Sequence, residues 1–563
     1  MPLTIARADR VSSGRMAKNV DADNVWLMMV AAMGTELLHG EVARDFPDYL
    51  RDESRKVGRA QSIAFPCHEE EIREALEQAA AAGWPVTVQG GRTGITGGAV
   101  PDGGLILNLS RMNRVLGLRR ASDSGAYLLT VQPGVVLKEL RMALARREVD
   151  TAAWSPEALA AWRSFRTDRE YFFPPDPTET SATIGGMVAC NASGACSYRY
   201  GPTRAHVEAL RVVLVDGDGL ALRRGRERAQ GRAFRVTTLS GRVLSGRLPA
   251  YRLPAVKNAA GLFVADDMDL LDLFIGSEGI LGVIVEVELR LTPLPAVRCG
   301  LMAFFPTLSA ALAFVHRVRG AGGAPSGPGT EGPAAMEFFD ARALELLRTR
   351  QAEAGGTGDI PAPPPGEHTA VYVEYHGTAP AVEAGVAAAA EALSACGGSE
   401  EATWLADHDR ELERLKDFRH AVPETVNTVI DRRRRQVPGL TKLGTDMAVP
   451  DAHLDAVVAM YQGDLETAGL EYVMFGHIGD NHLHVNILPR TLAEYERGRA
   501  LYLRWARRVV ELGGTVSAEH GIGKFKTGLL REMYGAGGIE AMRAVKRVFD
   551  PQGLLNRGNM FEP

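Results

Sequence analysis

Residues 88–104 read VQGGRTGITGGAVPDGG, and the way this run connects its neighbours decides the fold. It contains GxxGxxG, the bare pattern of a dinucleotide loop. A Rossmann unit passes from a strand through such a loop directly into a helix. Here PVTVQ (85–89) precedes the loop and GLILNLS (104–110) follows it, with Pro101 between them. Both flanks read as strands, so a strand–loop–strand unit is expected and a Rossmann fold is disfavoured. A long glycine-rich loop between strands still presents successive backbone N–H groups to a diphosphate. Five glycines in nine residues (90–98), interleaved with Arg92, Thr93 and Thr96, favour that reading over a flexible hairpin.

Two further stretches share this texture. FFPPDPTETSATIGGMVACNASGACSYRYG (172–201) has a proline-stiffened entry, several hydroxyls, and Gly185-Gly186 where backbone can approach a ligand closely. GSEGILGVI (276–284) places Gly276, Gly279 and Gly282 at the start of a strand. Together the three describe a large, flat ligand met by backbone.

Around them the pattern is α+β. EEEIREALEQAAAAG (69–83) has helical spacing and stops at a glycine; AYLLTVQPG (126–134), VEALRVVLVDGDG (207–219) and GVIVEVELRLTPLP (282–295) read as strands. Pro293 and Pro295 mark a boundary. Beyond it strand-like runs (300–306, 334–340, 370–377, 440–450) alternate with helical ones, and two Gly/Pro-rich loops fall at 319–333 and 354–366. The expected organisation is a lead-in (1–50), a first domain (51–296), a second domain (297–505) and a C-terminal segment (506–563), whose GIEAMRAVKRVFDPQGLLN (538–556) is an amphipathic helix ended by Asp550-Pro551.

The second domain holds YVMFGHIGDNHLHVNILP (472–489), with three histidines in eight residues. Read as a strand, His482, His484 and Asn486 share one face while Leu483, Val485 and Ile487 take the other. Gly479-Asp480-Asn481 has turn chemistry, so a hairpin would fold His477 back over His484.

Composition is that of an ordinary soluble protein: 45% apolar, 24% charged, net charge −5, with no general pull toward nucleic acid or anionic membrane. DRRRRQ (431–436) reads as a solvated helix end. The five cysteines (67, 190, 196, 299, 396) are scattered and contain no CxxC, which argues against a disulfide framework or an iron–sulfur cluster and for a reducing compartment. VWLMMVAAMG (25–34) is too short to span a bilayer. A cytoplasmic protein is expected, and peripheral attachment at the inner membrane face is compatible with it.

GGRTGITGGAVP, DPTETSATIGGMVACNASG, GSEGILGVIVEVELRLTPLP, GHIGDNHLHVN, SAEHGIGK and FDPQGLLNRGN occur in the order seen in FAD-linked oxidases of the vanillyl-alcohol oxidase type. The chain most resembles their D-lactate, glycolate and D-2-hydroxyglutarate dehydrogenase branch, from about residue 50 onward. The resemblance implies a two-part FAD-binding domain plus an α+β cap domain with a large antiparallel sheet, the last helix returning to the FAD domain. It implies that Gly90, Gly91, Arg92, Thr93, Gly94, Gly97 and Gly98 hold the diphosphate. Pro133, Gly134, Asp176, Thr180, Ser181, Gly185, Gly186, Asn191, Gly194 and Tyr200, with Glu278, Gly279, Gly282, Ile284 and Asn556, would surround the rest of FAD. The first loop has Arg92 where covalent members would need a histidine, so FAD is expected to be non-covalent, with Cys190 and Cys196 as packing residues.

The same resemblance implies a divalent metal on His477, His484 and Glu519, zinc before manganese or iron. Two imidazoles and a carboxylate leave open positions where a hydroxyacid could chelate. His520 is then the expected general base, Asn486 a substrate hydrogen-bonding group, and Arg419 the carboxylate clamp, with Lys442 a second cation. His482 departs from the family pattern, which has asparagine or a small residue there. The activity implied is oxidation of a D-2-hydroxyacid, D-lactate first, to the 2-oxo acid. Electrons would pass to a separate cytochrome, quinone, electron-transfer flavoprotein or iron–sulfur partner; a homodimer is compatible. The alternatives are a non-catalytic FAD-binding electron-transfer subunit, and an alkylglycerone-phosphate synthase-like enzyme whose phosphate would meet the arginines at 432–435.

Overall fold

The computed structural model describes residues 37–320, 332–353, 360–365 and 368–562. The apolar run at 25–34, and most of the two Gly/Pro-rich loops, lie outside the described residues.

The first sheet has four strands in the order Leu38–His39, Ser62–Ala64, Leu105–Asn108, Val86–Gln89. Leu105–Asn108 runs parallel to both its neighbours and is buried throughout, as its unbroken apolar run requires. The helix Glu69–Ala81 covers it with Ile72, Ala75, Leu76 and Ala79, and its three leading glutamates face the positive end of the helix dipole. The glycine-rich loop therefore joins two strands of one sheet, as its flanks indicate.

A second, five-stranded antiparallel sheet follows, ordered Val115–Arg120, Tyr127–Val131, Val283–Arg290, Val207–Val213, Gly219–Arg223. Beside it the basic 223–247 segment forms the hairpin Ala233–Thr237 with Val243–Arg247. Its Phe234 stacks on Phe549 of the last helix, with ring centroids 5.7 Å apart.

The third sheet is large and antiparallel. Its order is Trp404–Ala406, Val297–Phe305, Thr369–Gly377, Pro333–Phe339, Tyr472–Gly476, His482–Ile487, Leu443–Gly444, with Met447–Ala448 also paired to His482–Ile487. The stretch 440–450 is thus two short strands rather than one. Thr445 explains the break: its hydroxyl donates to the Leu483 carbonyl and accepts from Val485 N, so its side chain takes over the ladder. Arg419 lies within the helix Asp409–Gln436, which carries Pro423 in its interior.

The chain end returns to the first sheet. Helical residues Thr527–Phe549, kinked at Gly535 (φ 67°), lead to Leu554, whose carbonyl accepts from Val86 N at 2.8 Å. Asn556 N donates to the Val86 carbonyl, also at 2.8 Å.

Candidate functional site

A cavity of about 1310 Å³ opens where the glycine-rich loops face the large sheet. Gly90, Gly91, Arg92, Thr93, Gly94, Gly98, Pro133, Asp176, Gly185, Gly186 and Gly194 line one side, with Glu278, Gly279, Gly282, Ile284 and Asn556. His477, His484, Asn486, Glu519, His520, Arg419 and Lys442 line the same cavity.

Several expected cofactor residues do not line it. Gly134 is packed against backbone, where a Cβ would meet the Leu109 carbonyl at 2.3 Å, and Gly97 lies under the Phe525 ring. Asn191 is the left-handed C-cap of the helix Ile184–Cys190, and its Oδ1 accepts from Arg204 N. Tyr200 points to the large sheet, with its hydroxyl 2.9 Å from His376 Nδ1. The Thr180 carbonyl accepts from Lys138 N, and the Ser181 carbonyl lies against Gly91, where a Cβ would meet it at 2.8 Å.

The glycines divide into two kinds. A Cβ at Gly90 would meet Thr183 Oγ1 at 2.2 Å, at Gly185 Pro133 Cβ at 2.5 Å, and at Gly194 the Asp176 carbonyl at 2.0 Å. These glycines let protein loops close on one another. Gly94 has nothing within 4 Å of its Cβ position and borders the cavity, so it is a cradle that a side chain would fill. Arg92 holds φ 57° and lays its guanidinium over Tyr49, 4.1 Å from the ring centroid.

Glu278 locks the walls together. Its carboxylate accepts from Ile522 N at 2.6 Å and Gly523 N at 2.8 Å, although burial raises its pKa. Asn556 accepts from Val88 N and donates to the Glu278 carbonyl. Four chain segments, at 88, 278, 522–523 and 556, meet at this pair.

The histidine hairpin supplies the chemistry. His477 Nε2 lies 3.1 Å from Glu519 Oε2, His484 Nε2 3.8 Å and His482 Nδ1 3.9 Å from the same oxygen. The other Glu519 oxygen accepts from Lys257 Nζ at 2.6 Å and Ser193 Oγ at 3.0 Å. His477 Nδ1 sits 2.6 Å from Glu337 Oε1, and His484 Nδ1 lies 3.1 Å from the Thr445 carbonyl. Such rear contacts set the tautomer and aim the front nitrogen.

The electrostatics follow from this packing. Burial pushes His477 down, but Glu337 and Glu519 outweigh it and hold its pKa near 10. Burial likewise raises Glu519, yet His477 and Lys257 keep it well below the usual carboxylate range. Burial and the neighbouring His482 keep His484 neutral, with a lone pair to offer. His520 is lowered by burial and packs 5.8 Å, centroid to centroid, from His484. A cation among these groups would take the place of the His477 proton. The donor set fits a divalent ion: His477, His482, His484 and Glu519 each bring a ligand atom within 4.8 Å of all the others.

Asp446 organises the loop that carries Glu519. Its buried carboxylate accepts from Glu519 N, His520 N, Ser517 Oγ and Lys526 Nζ. Arg419 lies 4.9 Å over the Tyr372 ring, and its buried Nη1 has no hydrogen-bond partner among the described residues. Burial disfavours the guanidinium charge, and the nearby Glu337 and Glu374 carboxylates offset that cost. Lys442 is pushed down to about 8 by burial and by Arg55. In the arginine run, Arg432 is tied to Glu353 and Arg433 to Glu471, and Arg434 alone of the four lines the cavity.

Lys257, Glu337 and Asp446 had not been expected at the site. Glu337 offered one signal, a lone acid in the otherwise apolar strand Pro333–Phe339. Lys257 offered none, because its partner lies 262 positions away.

Residues 294–560 match the C-terminal domain of the FAD linked oxidases, and residues 60–154 and 164–223 match an FAD binding domain. The chain belongs to the FAD-linked oxidases. A probable mitochondrial D-lactate dehydrogenase of Danio rerio is 29% identical over 517 residues, covering 91% of this chain and 86% of that one. Glycolate oxidase subunit GlcD of Bacillus subtilis is 27% identical, covering 89% and 88%. D-2-hydroxyglutarate dehydrogenase of Stutzerimonas stutzeri is 27% identical, covering 91% and 94%. A solved alkyldihydroxyacetonephosphate synthase shares the fold, with TM-score 0.60 and 14% identity over 97% of this chain and 86% of that one. The open face at Gly94 has room for an anionic group met by backbone. Among the described residues, no helix of this oxidase is long and apolar enough to cross a membrane.

Proposed function

We propose that the protein oxidises a short D-2-hydroxyacid, D-lactate first, to the 2-oxo acid with non-covalent FAD and a divalent cation, passing electrons to a separate acceptor. One observation carries this reading: imidazole nitrogens of His477 and His484 converge on Glu519 Oε2 in the cavity that the glycine loops also wall. The relatives named for D-lactate, glycolate and D-2-hydroxyglutarate support the substrate class.

When bound, FAD supplies the hydride acceptor and the cation a Lewis acid for the α-hydroxyl. The chain's residues do the rest. His477, His484 and Glu519 hold the cation, while Glu337 and the Thr445 carbonyl aim the two imidazoles from behind. Arg419 brings an unpartnered Nη1, which a substrate carboxylate would satisfy. His520, neutral and held through its backbone by Asp446, takes the hydroxyl proton on a ring nitrogen. Asn486 lies two residues beyond His484 on the same strand face and hydrogen-bonds the substrate. The Gly90–Gly98 loop would hold the FAD diphosphate. The acceptor, a cytochrome, quinone, electron-transfer flavoprotein or iron–sulfur partner, meets the reduced protein afterwards, and a protein working at the inner membrane face suits that exchange.

Anaerobic titration of the flavin-loaded protein with D-lactate, L-lactate, glycolate and D-2-hydroxyglutarate tests the reading. Bleaching of the flavin band by D-lactate but not L-lactate is expected, and no bleaching by any of the four sinks it. One observation favours a second substrate: Lys442 lines the cavity with no carboxylate partner among the described residues, so a second carboxylate has a place to go. Stronger bleaching by D-2-hydroxyglutarate than by D-lactate selects that dicarboxylate.

A further inference from the structure

We infer that His482 is itself a ligand, so that the cation is held by three imidazoles and one carboxylate rather than by two and one. The inference rests on the proposed cation at Glu519 and concerns how many protein atoms hold it.

His482 is fully buried, with 0% exposure. An interior imidazole ordinarily satisfies its ring nitrogens, because a buried polar atom without a partner costs about 1–3 kcal/mol. Among the described residues, neither nitrogen of His482 has a partner in hydrogen-bond geometry. Its Nε2 does lie 3.0 Å from Asp446 Oδ1, within ion-pair distance. Its Nδ1 faces the cluster, 3.9 Å from Glu519 Oε2.

This repeats the arrangement of the other two rings. His477 has an oxygen of Glu337 behind Nδ1 and presents Nε2; His484 has the Thr445 carbonyl behind Nδ1 and presents Nε2. His482 has Asp446 behind Nε2 and presents Nδ1. Each imidazole thus has an oxygen behind one nitrogen and turns the other toward Glu519 Oε2, at 3.1, 3.8 and 3.9 Å. Nitrogen ligands each about 2.0–2.1 Å from one ion lie at separations of this order from the ion's carboxylate oxygen. The rings of His482 and His484 are also the closest pair in the cluster, with centroids 4.4 Å apart.

A fourth protein ligand has a chemical consequence. Four protein atoms fill a tetrahedral ion, so a hydroxyacid can chelate only where the ion expands to five or six positions. That selects against an ion confined to four positions and favours manganese or ferrous iron, or zinc in an expanded shell. Asp446 then serves two ends of the site, standing behind His482 and holding the backbone of Glu519 and His520.

The test uses the full-length, flavin-loaded protein. X-ray absorption on the manganese- or zinc-loaded wild type should show imidazole scattering from three rings; two rings overturn the inference and leave the proposed function intact. His482→Asn should retain its flavin yet lose the cation about 10–100-fold more readily to a chelator. Its cobalt-substituted form should change visible spectrum through loss of a nitrogen ligand. An unchanged cobalt spectrum in His482→Asn overturns the inference even where affinity falls, because His482 would then act on the site from behind. Wild-type protein that retains no divalent cation overturns both this inference and the metal-assisted reading.

Discussion

Lys257 Nζ donates to Glu519 Oε1 at 2.6 Å, joining residues 262 positions apart, with both side chains less than a tenth exposed. The pair occupies one oxygen of the carboxylate and leaves the other toward the imidazoles. Lys257→Met should therefore leave a buried carboxylate short of its ammonium, at a cost of about 3 kcal/mol. Added divalent cation should recover part of that loss, because it supplies the missing charge. Urea unfolding with and without chelator reads this; equal stability of variant and wild type in chelator would show that the pair does not carry the carboxylate.

His520→Ala should slow flavin reduction by roughly 10²–10⁴, the usual worth of a positioned acid–base group, with metal content unchanged. Stopped-flow absorbance checks the rate and elemental analysis the metal. Reduction at the wild-type rate reassigns the base.

Arg419→Lys keeps charge but loses the planar fork. A rise in substrate KM of about 10-fold is expected, with flavin content preserved, since Arg419 Nη1 has no partner to lose among the described residues. Steady-state kinetics with an artificial acceptor decide it, and an unaltered KM ends the clamp assignment.

Gly94→Ala and Gly90→Ala should fail differently. The Gly94 Cβ position is open to the cavity, whereas a Cβ at Gly90 meets Thr183 Oγ1 at 2.2 Å. Gly94→Ala should fold and bind FAD more weakly; Gly90→Ala should lower the unfolding midpoint even without FAD. Flavin titration and calorimetry on the same samples separate the two, and matching profiles would contradict the division.

His206 predicts a pH dependence of stability. It is 2% exposed, and burial depresses its pKa to about 4 from an ordinary 6.5. Between those values the unfolded chain binds the proton and the native chain does not, so stability rises with pH there and is lost as pH falls from 6.5 toward 4. The contribution is of order 3 kcal/mol across the window. His206→Gln should flatten the urea midpoint over that range relative to wild type; parallel curves would show that His206 does not titrate on unfolding.

Much of the fold was legible in local sequence because strands and short loops are governed by near neighbours. The glycine loop's two strand-like flanks placed it within one sheet, and the alternation His482 to Ile487 announced a strand with its histidines on one face. The same locality explains the misreading of 440–450, which reads as one strand although the Thr445 side chain replaces a ladder bond.

By itself, the sequence determined the family, the α+β architecture with its large antiparallel sheet, and the residue types bound for the site. Those properties follow from periodicity and ordered motifs, which short stretches of chain carry. Tertiary structure alone decided that Lys257, Glu337 and Asp446 attend the histidine cluster, and that the interior ring of His482 faces Glu519. Charges and lone pairs act over a few ångströms in space, and separation along the chain says nothing of that distance until packing closes it.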